Sequence, residues 1–352
     1  MTASEQLLRG YLSDNAAGAA PEVLAAVAAA AAGPAVPYGN DPLSQAVYRR
    51  FAELFERPVA VFPVSSGSAA NGIALAALTP PWGSVLAHPD AHIDNDEAGA
   101  PEFFTGGAKI VPVGGAHSKI DPGLLRPAAG RKRGDLHSVQ PSVLSVTQAT
   151  ETGSVYTVAE LRALTGIARE AGLRVHMDGA RFANALAALG TTPAELTWRS
   201  GVDVLSFGAT KNGTMTADAI VCFDPALAAE LAFRHKRGGQ LTAKMRFQTA
   251  QLGAYLEDGL WLRLAAHANA MAERLRAGLA AAPGVRVAGE LGANILFCHF
   301  PAALTAGLRE RGYAFYADRW EPGIVRLVTS FAHREPDIDD FLAAVRALTQ
   351  NA

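Results

Sequence analysis

Between residues 59 and 223 short apolar runs recur, each closed by a polar or glycine-containing turn. Runs near 59–62, 85, 110–113, 143–147, 173–177, 204–207 and 219–223 are too short for stable helices and rich in branched residues, so they predict strands. Helical spacing separates several of them: 43–55 after the turn Tyr38-Gly39-Asn40-Asp41-Pro42, then 68–78 and 158–171. Strands alternating with helices predict an α/β fold, with a mostly parallel sheet covered by helices. From about residue 226 the pattern is helical through 235, and again over 245–256 and 261–281. After Pro283-Gly284 the character changes: strands at 294–300 and 324–330 flank a helix at 302–311, and a last helix covers 337–348. The expected organisation is an N-terminal arm (1–20), a large domain (21–255) and a small C-terminal α+β domain (256–352).

A length of 352 residues suits two domains. The composition, 49% hydrophobic and 18% charged, is that of an ordinary globular chain. A formal net charge of −2 gives no attraction to nucleic acid or to an anionic membrane. The densest basic run, Arg131-Lys132-Arg133, reads as a solvated loop. Cys222 and Cys298 lie in apolar strand-like runs, as buried thiols do, and no cysteine spacing suits a metal. The start Met1-Thr2-Ala3-Ser4-Glu5-Gln6 has no charged region leading into an apolar core. The apolar run 23–32 is too short to span a bilayer and stops at Gly33-Pro34. These features lead to the expectation of a cytoplasmic enzyme acting on a small molecule.

The chemistry concentrates where apolar runs end. His176-Met177-Asp178-Gly179-Ala180-Arg181 closes one strand, and Ser206-Phe207-Gly208-Ala209-Thr210-Lys211 closes the next. Ligands of such sheets bind at the carboxyl ends of the strands. A carboxylate after one strand and a lysine after the next is what pyridoxal phosphate chemistry needs. The lysine forms a Schiff base with the aldehyde, and Asp178 keeps the pyridine nitrogen protonated so the ring accepts an electron pair. Upstream, Ser65-Ser66-Gly67-Ser68 sits between a strand and a helix. The glycine permits close backbone approach and the helix start offers free N–H groups, so a phosphate fits there. Each residue taken singly has a plain structural reading; together they form one set. His88 and His92 beside several carboxylates could suggest a metal, but Pro89 disfavours the continuous helix such a motif needs. No metal is expected.

The chain resembles the low-specificity L-threonine aldolases, fold type I pyridoxal phosphate enzymes, nearly end to end. The matching stretches are Ser13-Asp14, Tyr38-Gly39-Asn40-Asp41-Pro42, Ser66-Gly67-Ser68, Ala91-His92, Asp178-Gly179-Ala180-Arg181, Thr210-Lys211 and Ile324-Val325-Arg326-Leu327-Val328-Thr329. The resemblance implies Lys211 as the Schiff-base lysine, His92 stacked on the ring and Asp178 at the pyridine nitrogen. It also implies Ser13, Arg181 and Arg326 around the substrate carboxylate, and Arg246 near the cofactor phosphate across a subunit interface. A planar guanidinium grips a carboxylate with two parallel hydrogen bonds. Fixing the carboxylate fixes rotation about the Cα–N bond, and so selects which bond stands perpendicular to the ring and breaks. The implied activity is cleavage of L-threonine, L-allo-threonine and related β-hydroxy-α-amino acids to glycine and an aldehyde, by a homo-oligomer, dimer or tetramer, with shared sites.

One position departs from the family. Many relatives carry a histidine after the strand that precedes the aspartate strand, and here Thr150-Glu151-Thr152 stands in its place. Glu151 becomes the candidate base, a ligand of the β-hydroxyl, or a solvated loop charge. Phenylserine cleavage, β-elimination and transamination stay open as reactions of the same fold. A DNA-binding regulator would need a module that the short arm cannot hold. A nicotinamide dehydrogenase lacks its glycine fingerprint.

Overall fold

The computed structural model describes residues 8–290 and 292–350. The first seven residues of the expected arm lie outside the described residues. Seven strands form the main sheet: β1 (Ala60–Val64), β2 (Gly83–Ala87), β3 (Lys109–Pro112), β4 (Gln140–Thr147), β5 (Arg174–Gly179), β6 (Val204–Phe207) and β7 (Asp218–Cys222). Their order is β1-β7-β6-β5-β4-β2-β3. All neighbours from β6 through β3 pair in parallel, whereas β7 runs antiparallel to both β6 and β1. The sheet is mostly parallel, as the alternation predicts.

Both faces of this sheet are covered, which is why its strands read as apolar runs and not as clean alternation. Val85, Val143, Val204 and Ile220 pack on one side, in a core shared with Ile73 and Ala74 of the helix Gly67–Leu78. Their successors Leu86, Leu144, Leu205 and Val221 point to the other side. There they meet Leu161 and Leu164 of the helix Val158–Glu170 and Phe182 and Leu186 of the helix Phe182–Leu189. Cys222 and Cys298 are both free and buried, and burial pushes their thiols up to about 11 and about 12.

The second sheet is antiparallel and four-stranded: β8 (Arg286–Ala288), β9 (Ile295–His299), β10 (Tyr316–Ala317) and β11 (Ile324–Val328), in the order β10-β11-β9-β8. β8 and β10 have three and two residues, too few to show a period, and the sequence gives no sign of them. The helix Leu260–Ala280 serves both cores. Trp261 and Ala265 belong to the main one, and Met271, Leu275 and Leu279 to that of the small sheet. The described part of the arm is packed, not free. Tyr11 is fully buried in the small core, its N–H donates to the Ala314 carbonyl (2.7 Å), and its carbonyl accepts from Val328 N–H (3.0 Å). That docking brings Ser13, Asp14 and Asn15 over the carboxyl ends of β4–β6.

Candidate active site

Three turns at the carboxyl ends of β4, β5 and β6 supply the reactive groups. The turn after β6 packs directly on the turn after β5. A Cβ on Gly208 would stand 2.6 Å from the Ala180 carbonyl oxygen, so only glycine permits this approach. Lys211 is not at the strand end itself but in a single helical turn, Thr210–Asn212, four positions beyond β6. The turn is anchored on both sides. Asp218 accepts from the backbone N–H groups of Ala209 (2.7 Å) and Thr210 (2.9 Å), and the Asn212 side chain donates to the Tyr255 hydroxyl (2.7 Å) and the Trp261 carbonyl (2.8 Å).

Asp178 is the penultimate residue of β5 and is buried. It accepts from its own turn at Ala180 N–H (3.0 Å) and from the Asn71 amide (3.0 Å). The same Asn71 nitrogen donates to Glu97 (2.8 Å), and that Glu97 oxygen lies 2.8 Å from His92 Nδ1. One amide therefore links two buried carboxylates, with the His92 ring at the end of the chain. The Glu97 hydrogen bond is the largest influence on His92 and raises its pKa. Replacing Glu97 with glutamine should shift His92 titration to lower pH, read from its ring nitrogen signals by NMR; an unmoved titration would contradict the link. The raised value makes the pair stabilising below the ordinary histidine pKa, and that contribution is lost as pH rises through the folded value.

Two adjoining cavities share Lys211, His92 and Asn15. The smaller, about 300 Å³, is lined by Ser65, Ser66, Gly67, Ser68, Asp178 and Asp218, among others. Ser66 caps the helix Gly67–Leu78, accepting from Ala69 N–H (3.2 Å), and a Cβ at Gly67 would enter open space. The first-turn N–H groups of a helix lack partners within it and attract anions. The larger cavity, about 530 Å³, is lined by Ser13, Glu151, Arg181 and Arg326, with Phe297, Tyr316 and Trp320 at the side of the small sheet.

The two arginines differ. Arg181 is buried, gives its Nε and Nη2 groups to Asp14, at 2.7 and 2.9 Å, and also lines the larger cavity. Burial alone would raise the Asp14 carboxyl, but Arg181 holds it below its ordinary value. Breaking such a pair by removing one member typically costs about 3–5 kcal/mol. Arg326 stands mid-strand in β11, between Phe297 of β9 and Tyr316 of β10. Burial, and then repulsion from Arg181, pull it down to about 10, so it stays charged at neutral pH. Among the described residues its guanidinium has no hydrogen bond or ion pair with the protein.

Glu151 is half-buried in a turn closed by Gly153 N–H to the Thr150 carbonyl (2.9 Å). The hydroxyls of Thr152 and Ser154 donate to the His117 carbonyl, at 3.0 and 2.7 Å, and hold the turn against the large cavity. Arg246 is not brought to either cavity. It opens the helix Arg246–Leu256 and lines a separate surface hollow with Pro34, Val36 and Lys244. Asp14, Asn71 and Asp218 are contributors to which motif reading gives no role, although Asp14 stands in a matching stretch, because each acts on a functional side chain or turn from a different element. Among the described residues no group of three or more His, Cys, Asp and Glu side chains could hold a metal.

Residues 11–299 match the family described as beta-eliminating lyase. The low-specificity L-threonine aldolase of Pseudomonas sp. (strain NCIMB 10558) is 42% identical over 96% of this chain and 97% of its own. That of Pseudomonas aeruginosa is 44% identical over 89% of this chain and 90% of its own. The solved structure of Leishmania major threonine aldolase superposes with a TM-score of 0.91 at 30% identity, covering 97% of this chain and all of that one.

Proposed function

The chain belongs to the low-specificity L-threonine aldolases of the beta-eliminating lyase family, and on that premise we infer that it cleaves L-threonine, L-allo-threonine and related β-hydroxy-α-amino acids to glycine and an aldehyde. The observation that carries this reading is a free cation, Arg326, facing the same cavity as Lys211 and Glu151. An amino acid needs these three: a carboxylate anchor, an amine-exchanging lysine and a group for its hydroxyl.

The smaller cavity fits pyridoxal phosphate. It has a helix N-terminus with open space at Gly67, a buried carboxylate at Asp178 and a lysine in the same lining, Lys211. Ser66, Gly67 and Ser68 would hold the phosphate, Asp178 the pyridine nitrogen, His92 the ring face and Lys211 the aldehyde. When bound, the cofactor supplies an electron sink for a bond breaking at the α-carbon. The chain's own part is binding, orientation and proton transfer. Arg326 grips the carboxylate, and Glu151 takes the β-hydroxyl proton so that the β-carbon leaves as an aldehyde. Supplying L-threonine should yield glycine and acetaldehyde in equal amounts; 2-oxobutyrate as the main product would indicate β-elimination instead.

Glu151→Gln should leave cofactor uptake and substrate binding intact and lower kcat by roughly 10²-fold or more. An unchanged rate, with an unchanged ratio of threonine to allo-threonine cleavage, would remove Glu151 from the chemistry.

We also propose that the enzyme works as a homo-oligomer in the cytoplasm. Leu43 is exposed at a mainly apolar groove of about 590 Å³ formed by the helices Pro21–Ala30, Pro42–Leu54 and Arg246–Leu256, and Val36 is exposed at the hollow that Arg246 lines. A second copy on that face is the reading that would let Arg246 meet the phosphate of a neighbouring site. Sedimentation equilibrium giving a monomer mass would overturn it. No helix among the described residues is long and apolar enough to cross a membrane.

A further inference from the structure

We propose that the loop joining β10 to β11, residues 318–323, selects the β-substituent of the substrate: Trp320 and Phe297 form a wall for an aryl group, and Arg319, held by Asp96, closes the rim of the cavity. The preferred substrates are then β-aryl-β-hydroxy-α-amino acids, cleaved to glycine and an aromatic aldehyde. This rests on the retro-aldol reading above. The lining of the larger cavity divides by chemistry. Arg326 and Arg181 serve the carboxylate, Lys211 the amine and Glu151 the hydroxyl. Left for the β-substituent are chiefly Asp96 on the main-sheet side and Phe297, Tyr316, Arg319 and Trp320 on the small-sheet side.

Phe297 and Tyr316 stand directly opposite Arg326 on the flanking strands, so the three side chains share one face of the small sheet and aromatic residues flank the carboxylate anchor. Trp320 extends that wall. Its ring meets Phe297 edge to face, with centroids 4.9 Å apart, yet it is exposed. A large aromatic ring left uncovered in the wall of a cavity favours a ligand that covers it. Threonine's methyl has little surface to offer, whereas a phenyl group has a whole face. The Arg319 guanidinium lies 5.7 and 5.9 Å from the Tyr316 and Trp320 ring centroids and donates to Asp96 (3.1 Å). Asp96 closes the short helix His92–Asn95, its N–H donating to the His92 carbonyl (2.9 Å). Among the described residues this pair is the one hydrogen bond or ion pair between loop 318–323 and the part of the chain built on the main sheet. The loop keeps its own shape. Asp318 has a left-handed φ of 61°, donates through its N–H to the Ile324 carbonyl (2.9 Å) and accepts from Gly323 N–H (2.7 Å). An exposed ion pair contributes little to stability, so the rim is open to change without loss of the fold.

The test compares wild type with Trp320→Ala, Arg319→Ala and Asp96→Asn, each loaded with cofactor. Cleavage is followed as kcat/KM for L-threonine, L-phenylserine and L-β-(biphenyl-4-yl)serine. Calorimetry gives affinities for 3-hydroxy-3-phenylpropanoate and 3-hydroxybutyrate, which keep the carboxylate and hydroxyl but lack the amine. Wild type is expected to favour phenylserine over threonine, and the phenyl hydroxy acid over 3-hydroxybutyrate, by about tenfold or more. Trp320→Ala should cut both preferences by about fivefold or more. Arg319→Ala should raise the ratio of biphenylserine to phenylserine cleavage about tenfold, and Asp96→Asn, which releases Arg319 from the other side, about threefold. Unmoved ratios, parallel loss for all substrates, or a wild-type preference for threonine overturns the proposal. Should Trp320→Ala fail to fold by circular dichroism, Trp320→Leu keeps an apolar side chain without the aromatic face. It is expected to lower both preferences about threefold, and unmoved preferences overturn the proposal equally. A wild-type protein that cleaves none of the three amino acids would defeat the retro-aldol reading instead, and the two hydroxy-acid affinities would still judge the aromatic wall.

Discussion

Lys211→Ala should abolish threonine cleavage while leaving the fold intact. The lysine lies in a solvent-accessible cavity and has no hydrogen-bonding role in the main core. The turn it occupies is held by its neighbours through Asp218, Tyr255 and Trp261. Its removal therefore takes away an amine without releasing an anchor. Among the described residues no other lysine lines either cavity, so nothing nearby can replace it. The measurement is acetaldehyde release from L-threonine, with circular dichroism as the folding control. Residual turnover within a hundredfold of wild type would show that Lys211 is not the attachment point.

The second large effect concerns Arg326. Its backbone is fixed by pairing with Phe297 and Tyr316 on the flanking strands, and among the described residues its guanidinium has no protein acceptor. A charged group held this way, without a partner, stands ready for an anion. Arg326→Ala should cost about 2–4 kcal/mol in kcat/KM, roughly 30- to 1000-fold. Both terms should change, because the carboxylate contact binds and orients. Arg181→Ala is expected to behave differently from Arg326→Ala. It leaves Asp14 buried and unpaired, so folding stability falls along with activity, and thermal denaturation separates the two arginines. Near wild-type kinetics in Arg326→Ala would remove it from the site.

The main sheet is legible in the sequence because both of its faces are buried. Val204-Leu205 and Ile220-Val221 each send one side chain to either core, so the strands appear as unbroken apolar runs bounded by polar turns. Asp178 and Lys211 are legible for a related reason, as polar residues at the end of one such run and in the turn that follows the next. The small sheet is half hidden, since β8 and β10 are too short for any pattern to register. The supports of the site are hidden for a different reason. Asp14 and Arg181 are 167 positions apart, and Asn71 reaches Asp178 across 107. No local spacing carries that information; it comes from how the arm and the helix Gly67–Leu78 dock. The consequence is largest at Arg181. Sequence resemblance places it around the substrate carboxylate; the fold sets it in the wall of that cavity and also pairs it with Asp14, which no local pattern shows.

Lys211, on the cavity that the Ser66–Gly67–Ser68 helix start and Asp178 also line, is the residue that would hold pyridoxal phosphate. Borohydride reduction of the cofactor-loaded protein, followed by peptide mass mapping, tests this most directly. The account predicts a single phosphopyridoxyl adduct, on the peptide containing Lys211. No adduct, or an adduct confined to another lysine, would contradict it.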